Sequence, residues 1–396
     1  MAVHAEPRIV DETLSSDSVV HILQSLVQTP SVNPGVYEDA MAKRVAEWLE
    51  PTGAQITFVE SLPGRHSVAA VLEGTGGGPT LVLNGHMDTV AIDDASLWRD
   101  DPFGAVVKDG YVWGRGACDM KAGLSVQIAV ARYLAKRPER IKGNLVLHFA
   151  VGEECAEPGT LSLIKAGFVG DVGIVTEPTE LKVATAERGL VFLKLRIKGR
   201  SIHASKAHLG LNPNWKLRAV LDAVEEYERE ISQRSHPLLP AASCTPTVIR
   251  AGATENAVPD YCDLSFDRRL LPGETLDGAL AELRSRFERI RSADPDFDFE
   301  LSRAEYAFSP AEISPDSAFP RRVAAAVQGV TGEMGEIVGT AYSSDVHNLV
   351  NDAGMEAITF GPGNVAECHC ANERVAVDQL GNAAAVIARV ATELLA

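Results

Sequence analysis

The chain has no excess of positive charge. Its 37 Lys and Arg face 54 Asp and Glu, a formal net charge of −17 over 396 residues. A surface that grips phosphate backbones needs the opposite sign, so nucleic acid is excluded as the main partner. Long apolar runs are also missing. Nothing approaches the roughly 18 consecutive apolar residues that mark a membrane-spanning helix, and no membrane partner is expected. The opening residues Met1-Ala-Val-His-Ala-Glu-Pro-Arg8 lack the apolar core of an export signal. The 6 cysteines, at 118, 155, 244, 262, 368 and 370, form no C-x-x-C pair. They are expected to be reduced thiols in a cytoplasmic protein. Apolar content of 45% and charged content of 23% are those of a globular protein, and the length allows two domains with separate cores.

Val19, Ile22, Leu23, Leu26 and Val27 recur at helical spacing over 18–28, and Pro30 stops that helix. A second helix is expected over 37–50, then strands over 55–59, 68–72 and 80–83. A hairpin over 105–113 turns at Asp109-Gly110. A helix over 120–135, a strand over 144–151, a helix over 159–166 and a strand over 172–176 follow. Such alternation specifies an α/β layer fold with a largely parallel sheet. The pattern changes after about 182. Strands over 190–198, 247–251, 261–268 and 297–302, with helices over 213–232 and 276–291, describe a small α+β unit. Beyond about 305 the α/β pattern resumes and ends in a helix over 377–395. The second domain, 185–304, is therefore read as an insertion into the first, 1–184 and 305–396.

Five short segments end in groups that bind hard or borderline metal ions. They are His86 in Gly85-His86-Met87-Asp88, Asp119 in Cys118-Asp119-Met120-Lys121, the pair Glu153-Glu154, Glu177 before Pro178, and His369 in Glu367-Cys368-His369-Cys370. Two imidazoles and three carboxylates suit two zinc-like ions that share one carboxylate. In open α/β folds, ligands gather beyond the carboxyl ends of the strands. The segments of His86, Glu153-Glu154 and Glu177 each follow an expected strand, so they should leave the sheet at one edge. His86 and Asp88 are two apart and point the same way on extended backbone, so Asp88 can orient a metal-binding His86. Asp119 stands at the start of a helix, where the dipole favours a carboxylate. Of the adjacent Glu153 and Glu154 only one can bind metal well, and the other is free to act as a base.

Singly, each segment has an ordinary reading: a loop contact for His86, a glycine turn capped by Asp119, a solvated Glu pair, a strand exit at Glu177. Their order and shared edge favour the metal centre. In Cys368-His369-Cys370, neighbours on extended backbone point to opposite sides. That favours His369 alone as ligand, with the cysteines as packing residues, over a thiolate site.

Leu83-Asn-Gly-His-Met-Asp-Thr-Val90, Trp113-Gly-Arg-Gly-Ala-Cys-Asp-Met-Lys-Ala-Gly123, the Glu pair, Glu177 and His369 resemble the signatures of the M20 family of metallopeptidases and amidohydrolases. The likeness runs from about residue 20 to the C-terminus. It implies a zinc-peptidase-type catalytic domain with a mixed central sheet flanked by helices, plus an inserted α+β lid and dimerisation domain. It implies two divalent ions, zinc first, with cobalt or manganese as alternatives. His86, Asp119 and Glu177 would hold one ion, and Asp119, Glu154 and His369 the other. Asp88 would support the centre, Glu153 would be the general base, and the Asp119–Met120 peptide would be cis.

The stretch Gly199-Arg-Ser-Ile-His-Ala-Ser-Lys-Ala-His-Leu-Gly-Leu-Asn-Pro213 resembles a lid motif. Its histidine, here His203, is implied to stabilise the oxyanion from the partner subunit of a homodimer. Asn256 and Arg268 match lid positions that hold a substrate carboxylate, and Gly361-Pro-Gly363 resembles a loop lining the pocket. Thr340 and Ser343-Ser344-Asp345 lie in the matching pocket segment. Glu, not Asp, at 177 favours deacylase or carboxypeptidase members. Cys155-Ala-Glu-Pro-Gly159 departs from the family pattern, which puts the identity of the substrate in doubt.

The expected activity is amide hydrolysis of a small carboxylate-bearing substrate, in the manner of acetylornithine deacetylase or succinyl-diaminopimelate desuccinylase. A dipeptidase or carboxypeptidase is an alternative, as is an aminohydrolase acting on a non-peptide C–N bond such as that of an aromatic amino acid. An inactive carboxylate-binding protein would have lost Glu153 or a ligand, and this chain has lost neither.

Overall fold

The computed structural model describes residues 11–396. The opening segment Met1–Arg8, read for an export signal, lies outside the described residues. Two compact units are present: 11–185 with 312–338 and 344–396, and 186–311 with 339–343. The second therefore reaches further along the chain than the 185–304 read from the sequence. Its last strand, Phe299–Phe308, is longer than the apolar run that suggested it. Among the described residues, no helix is long and apolar enough to cross a membrane.

The sheet of the first unit is mixed. Thr80–His86 pairs in parallel with Asn144–Ala150 on one side and with Val172–Val175 on the other. Glu356–Thr359 extends the parallel part beyond Val172–Val175. Gln55–Leu62 and Arg65–Leu72 are antiparallel, and the second of them joins Asn144–Ala150, also antiparallel. The largely parallel sheet expected from the alternation is corrected here by a physical constraint. Only two residues, Pro63 and Gly64, separate the first two strands, and so short a link can build only an antiparallel hairpin.

The helix Lys121–Ala135 is buried along almost its whole length, packed against Ser16–Val27 and Val377–Leu395. A fully buried aliphatic side chain contributes about 1.5–3 kcal/mol, so this apolar layer is the main stabilisation of the unit. It also forms the crossover from Thr80–His86 to Asn144–Ala150. The chain then returns to the far side of Thr80–His86 as Val172–Val175. The strand order thus reverses around Thr80–His86, the kind of switch point at whose carboxyl end ligands bind in open α/β folds.

The second unit is a four-stranded antiparallel sheet in the order Ser243–Ala251, Tyr261–Leu270, Gly189–Lys198, Phe299–Phe308. Helices Pro213–Ile231 and Leu276–Ala293 pack on it. The core contains Leu193, Leu195, Phe266 and Phe287. Ser243–Ala251 is an edge strand whose residues are mostly exposed, including Val248 and Ile249.

Candidate metal centre

Three of the candidate ligand segments leave the sheet together. His86 is the last residue of its strand, not a residue beyond it. Glu153 and Glu154 lie in a tight turn just after Asn144–Ala150, and Glu177 lies two residues past Val172–Val175. His86 stands opposite Ala150, and Asn84 opposite Val175, so the parallel register brings these exits level. A small antiparallel sheet delivers the other two segments. Arg374–Ala376 pairs with Tyr111–Trp113, with Arg374 opposite Trp113. The loop carrying His369 and the loop carrying Asp119 therefore emerge side by side. Asp119 precedes the helix Lys121–Ala135, and the Asp119–Met120 peptide is cis.

Asp119 faces one histidine with each oxygen. Its Oδ1 is 3.2 Å from His86 Nε2, and its Oδ2 is 3.2 Å from His369 Nε2. Glu177 Oε1 is 3.3 Å from His86 Nε2, and Glu154 Oε2 is 3.1 Å from His369 Nε2. Ligand atoms of His86, Asp119 and Glu154 all lie within 4.8 Å of one another. A carboxylate shared between two imidazoles, each with a further carboxylate, is a donor set for two divalent ions.

The electrostatics fit that reading. Burial, and then the charge of Asp119, push both Glu154 and Glu177 up to about 7. Carboxylates crowded out of water repel, and a cation among them removes the repulsion. Hydrogen bonds to Asp119 and Glu154 push His369 up to about 10. Glu153 is also buried, with Oε2 3.8 Å from His86 Nε2. Burial raises it well above the usual carboxylate range; His86 opposes this, and Glu177, Asp345 and Glu154 add to it. A carboxylate shifted in that direction accepts a proton more readily than a solvated one, as a general base must.

Asp88 acts through two groups. Its backbone carbonyl, 3.0 Å from His86 Nδ1, is nearer than its carboxylate at 3.5 Å. A proton on Nδ1 donated to that carbonyl leaves Nε2 free to face Asp119 and Glu177. The carboxylate instead accepts the backbone N–H groups of Glu153 and Glu154, each at 3.2 Å. It thus anchors the turn that presents both glutamates.

The sequence reading missed the residues that hold these groups. The Asn33 amide donates to Asp88 Oδ2 and to Glu157 Oε2, both at 3.0 Å. Glu157 in turn pairs with Arg65 at 2.7 Å, and Arg65 also binds the buried Glu38. Glu373, fully buried, accepts the backbone N–H of Cys118 at 2.8 Å and of Asp119 at 3.0 Å, and pairs with Arg115 at 2.7 Å. Glu373 lies in the polar run Ala371-Asn372-Glu373-Arg374, where nothing local sets it apart from a solvated loop residue. Glu157 stood in the departing segment after the Glu pair, and that departure was its one signal.

Two glycines are explained by close approach. A Cβ on Gly361 would sit 2.5 Å from the Thr176 carbonyl oxygen and 2.6 Å from that of Glu177. A Cβ on Gly363, at φ +103°, would sit 2.5 Å from Cys118 Sγ. Both glycines pack against ligand segments. His369 is itself in the left-handed region at φ 57°, so the extended backbone assumed for Cys368-His369-Cys370 does not occur there. Cys368 Sγ lies 3.6 Å from Cys118 Sγ. Asp345 is buried and accepts from Thr160 Oγ1 at 2.7 Å.

In the second unit, His203 and Asn256 are neighbours. His203 pairs with Ala257 on a two-stranded ribbon, and the Asn256 carbonyl accepts from Ala204 at 2.8 Å. His203 is exposed, with Nδ1 2.8 Å from Ser205 Oγ. Arg268 is placed differently from the expectation of a substrate-facing guanidinium. It is fully buried, and its three nitrogens donate to Tyr227, to Glu274 and to the Arg269 carbonyl. The reason is strand alternation. Phe266, Arg268 and Leu270 point into the core, whereas Asp267 and Arg269 occupy the partly exposed face.

The model of peptidase family M20/M25/M40 matches residues 82–393. The chain is 27% identical to the N-formyl-4-amino-5-aminomethyl-2-methylpyrimidine deformylase of Bacillus subtilis, over 92% of this chain and 91% of that protein. It is 28% identical to the succinyl-diaminopimelate desuccinylase of Azoarcus sp., over 93% of this chain and 96% of that protein. Among solved structures it is similar to an M20 family metallo-carboxypeptidase from Sulfolobus solfataricus. There the TM-score is 0.80 at 19% identity, covering 98% of this chain and 99% of that one.

Proposed function

Since this chain belongs to peptidase family M20/M25/M40, and is thereby a metal-dependent hydrolase of an amide bond in a small substrate, we propose that it is a dinuclear zinc deacylase of an N-acylated, carboxylate-bearing compound. The observation that carries this reading is the Asp119 carboxylate with one oxygen toward each histidine. His86, Asp119 and Glu177 would hold one ion, and Asp119, Glu154 and His369 the other. When bound, the ions polarise the scissile carbonyl and acidify a water molecule.

The chain's own residues supply the rest. Glu153 takes a proton from the attacking water and returns it to the leaving nitrogen. Asp88 keeps His86 in the required tautomer and fixes the Glu153-Glu154 turn. The two relatives named above remove a formyl and a succinyl group, which supports a small acyl group here. For the substrate carboxylate we assign Asn256 with Arg269, in place of Arg268, because Arg269 lies on the less buried face of the strand Tyr261–Leu270.

We further propose a cytoplasmic homodimer formed through the inserted unit. The edge strand Ser243–Ala251, whose outer side has no strand beside it among the described residues and which exposes Val248 and Ile249, is suited to pairing with a second copy. The partner subunit's His203 would then donate a hydrogen bond to the oxyanion.

The test is a panel of N-formyl, N-acetyl, N-succinyl and dipeptide substrates, assayed with metal-stripped protein and after restoring Zn²⁺, Co²⁺ or Mn²⁺. Hydrolysis of an N-acyl substrate that vanishes on stripping and returns with metal is expected. Full activity in protein shown metal-free by elemental analysis would refute the mechanism. Turnover of dipeptides alone would move the assignment to a dipeptidase.

A further inference from the structure

Two cysteines distant in sequence meet beside the candidate metal centre. Cys118 Sγ and Cys368 Sγ are 3.6 Å apart, although 250 positions separate them. Both sulfurs lie near one acceptor, the Asn364 carbonyl, at 3.4 and 3.7 Å. Gly363 makes the approach possible, since any side chain there would collide with Cys118 Sγ. Cys118 is buried, whereas Cys368 is only partly so. Each cysteine directly precedes a residue assigned to the centre: Asp119 follows Cys118, and His369 follows Cys368. Cys370 Sγ is engaged elsewhere, 3.1 Å from the Glu367 carbonyl.

We propose that Cys118 and Cys368 form an oxidative modification site that takes a hydroperoxide as oxidant and, by closing to a disulfide, loosens the hold of Asp119 and His369 on metal. The displacement part rests on the ligand assignment made above. The chemistry balances in two steps. Cys368 Sγ attacks the peroxide O–O bond and its thiol proton passes to the leaving oxygen, giving a sulfenic acid and releasing an alcohol, or water from hydrogen peroxide. The Cys118 thiol then attacks that sulfur, the S–S bond forms, the S–O bond breaks, and water leaves. Two electrons pass from the thiol pair to the peroxide, and a dithiol reductant returns them.

Closure must bring the sulfurs from 3.6 Å to about 2.05 Å. Glu373 holds the Cys118 and Asp119 N–H groups in place, so the approach is resisted on that side. Both ligand-bearing backbones sit one bond from the moving cysteines. Loss of support around a ligand commonly weakens metal binding about 10–100-fold, and an effect of that size is expected here.

The experiment treats full-length, metal-loaded protein with hydrogen peroxide, maps disulfides by mass spectrometry, and measures retained metal after desalting. A Cys118–Cys368 cross-link, metal loss and recovery of both states with dithiothreitol are expected. Cys368→Ser should abolish the cross-link and protect the metal. Cys118→Ser should leave a sulfenic acid on Cys368 that dimedone traps. A cross-link from Cys368 to Cys370, or none at all under conditions that oxidise Cys368, would overturn the site. A cross-link formed with metal content unchanged would overturn the displacement. Reduced protein that binds no metal would instead overturn the ligand assignment, while the disulfide map would still judge the dithiol.

Discussion

Glu373 accepts the backbone N–H of Asp119 at 3.0 Å, across 254 positions of chain. Asp119, the carboxylate proposed to bridge the two ions, is therefore held by the same loop that carries His369. Glu373→Ala leaves the Cys118 and Asp119 N–H groups and the Arg115 guanidinium buried without their acceptor. Breaking such a buried pair costs about 3–5 kcal/mol. Lower unfolding stability and weakened binding of the metals are expected from chemical denaturation and metal titration. Glu373→Gln keeps an amide oxygen for both N–H groups and should recover much of the metal affinity. Equal affinity in Glu373→Ala and the unaltered protein would remove Glu373 from this role.

The adjacent glutamates should separate cleanly. Glu153→Ala is expected to retain metal and lose turnover by about 10²–10⁴-fold, the usual contribution of a general base. Glu154→Ala is expected to lose metal as well, because Glu154 lies against His369 and Asp119. Elemental analysis beside kcat for both variants decides between the roles. Comparable metal loss in both would dissolve the assignment.

His148 predicts a pH dependence of stability away from the metal centre. It is fully buried, with Nε2 3.0 Å from the Phe168 carbonyl, and burial lowers its pKa from 6.5 to about 4. As pH falls through 6.5 the unfolded chain takes up a proton that the folded chain refuses until about 4. His148 therefore subtracts stability across that window, by about 1.4 kcal/mol per pH unit and about 3 kcal/mol in total. His148→Asn should show a shallower fall of unfolding free energy between these pH values, by close to one proton. Parallel slopes for the two proteins would contradict this.

Subunit mixing tests His203. If the partner subunit's His203 acts at the metals, His203→Ala and Glu153→Ala are each inactive alone. Their mixed dimer then has one site with both groups intact, and activity should reappear on mixing. Loss of one oxyanion donor costs about 10²–10³-fold, so the recovery is measurable. A monomer by sedimentation, or no recovery despite proven subunit exchange, would refute the arrangement.

Much of the fold was legible because its signals are local. Helical spacing in Val19, Ile22, Leu23, Leu26 and Val27 marked the helix Ser16–Val27, and Asp109-Gly110 marked a hairpin turn with φ of 53° and 79°. The candidate ligands were singled out from the sequence by side-chain type and order, and the structure brings His86, Asp119, Glu154, Glu177 and His369 within reach of one another. Arg268 was not legible. A strand alternates its faces, but which face turns inward depends on the helices that later cover it.

The sequence alone determined the elements and the groups available: two imidazoles and four carboxylates, on segments that end strands or precede a helix. Tertiary structure decided which of these groups meet and what supports them. The parallel register of Asn144–Ala150 and Val172–Val175 on Thr80–His86 levels three of the segments, and the pairing of Arg374 with Trp113 brings in the other two. Glu373 beneath Asp119, Asn33 on Asp88, and Cys118 against Cys368 are contacts across long stretches of chain. Their geometry is set by packing and register, which no short window of residues contains.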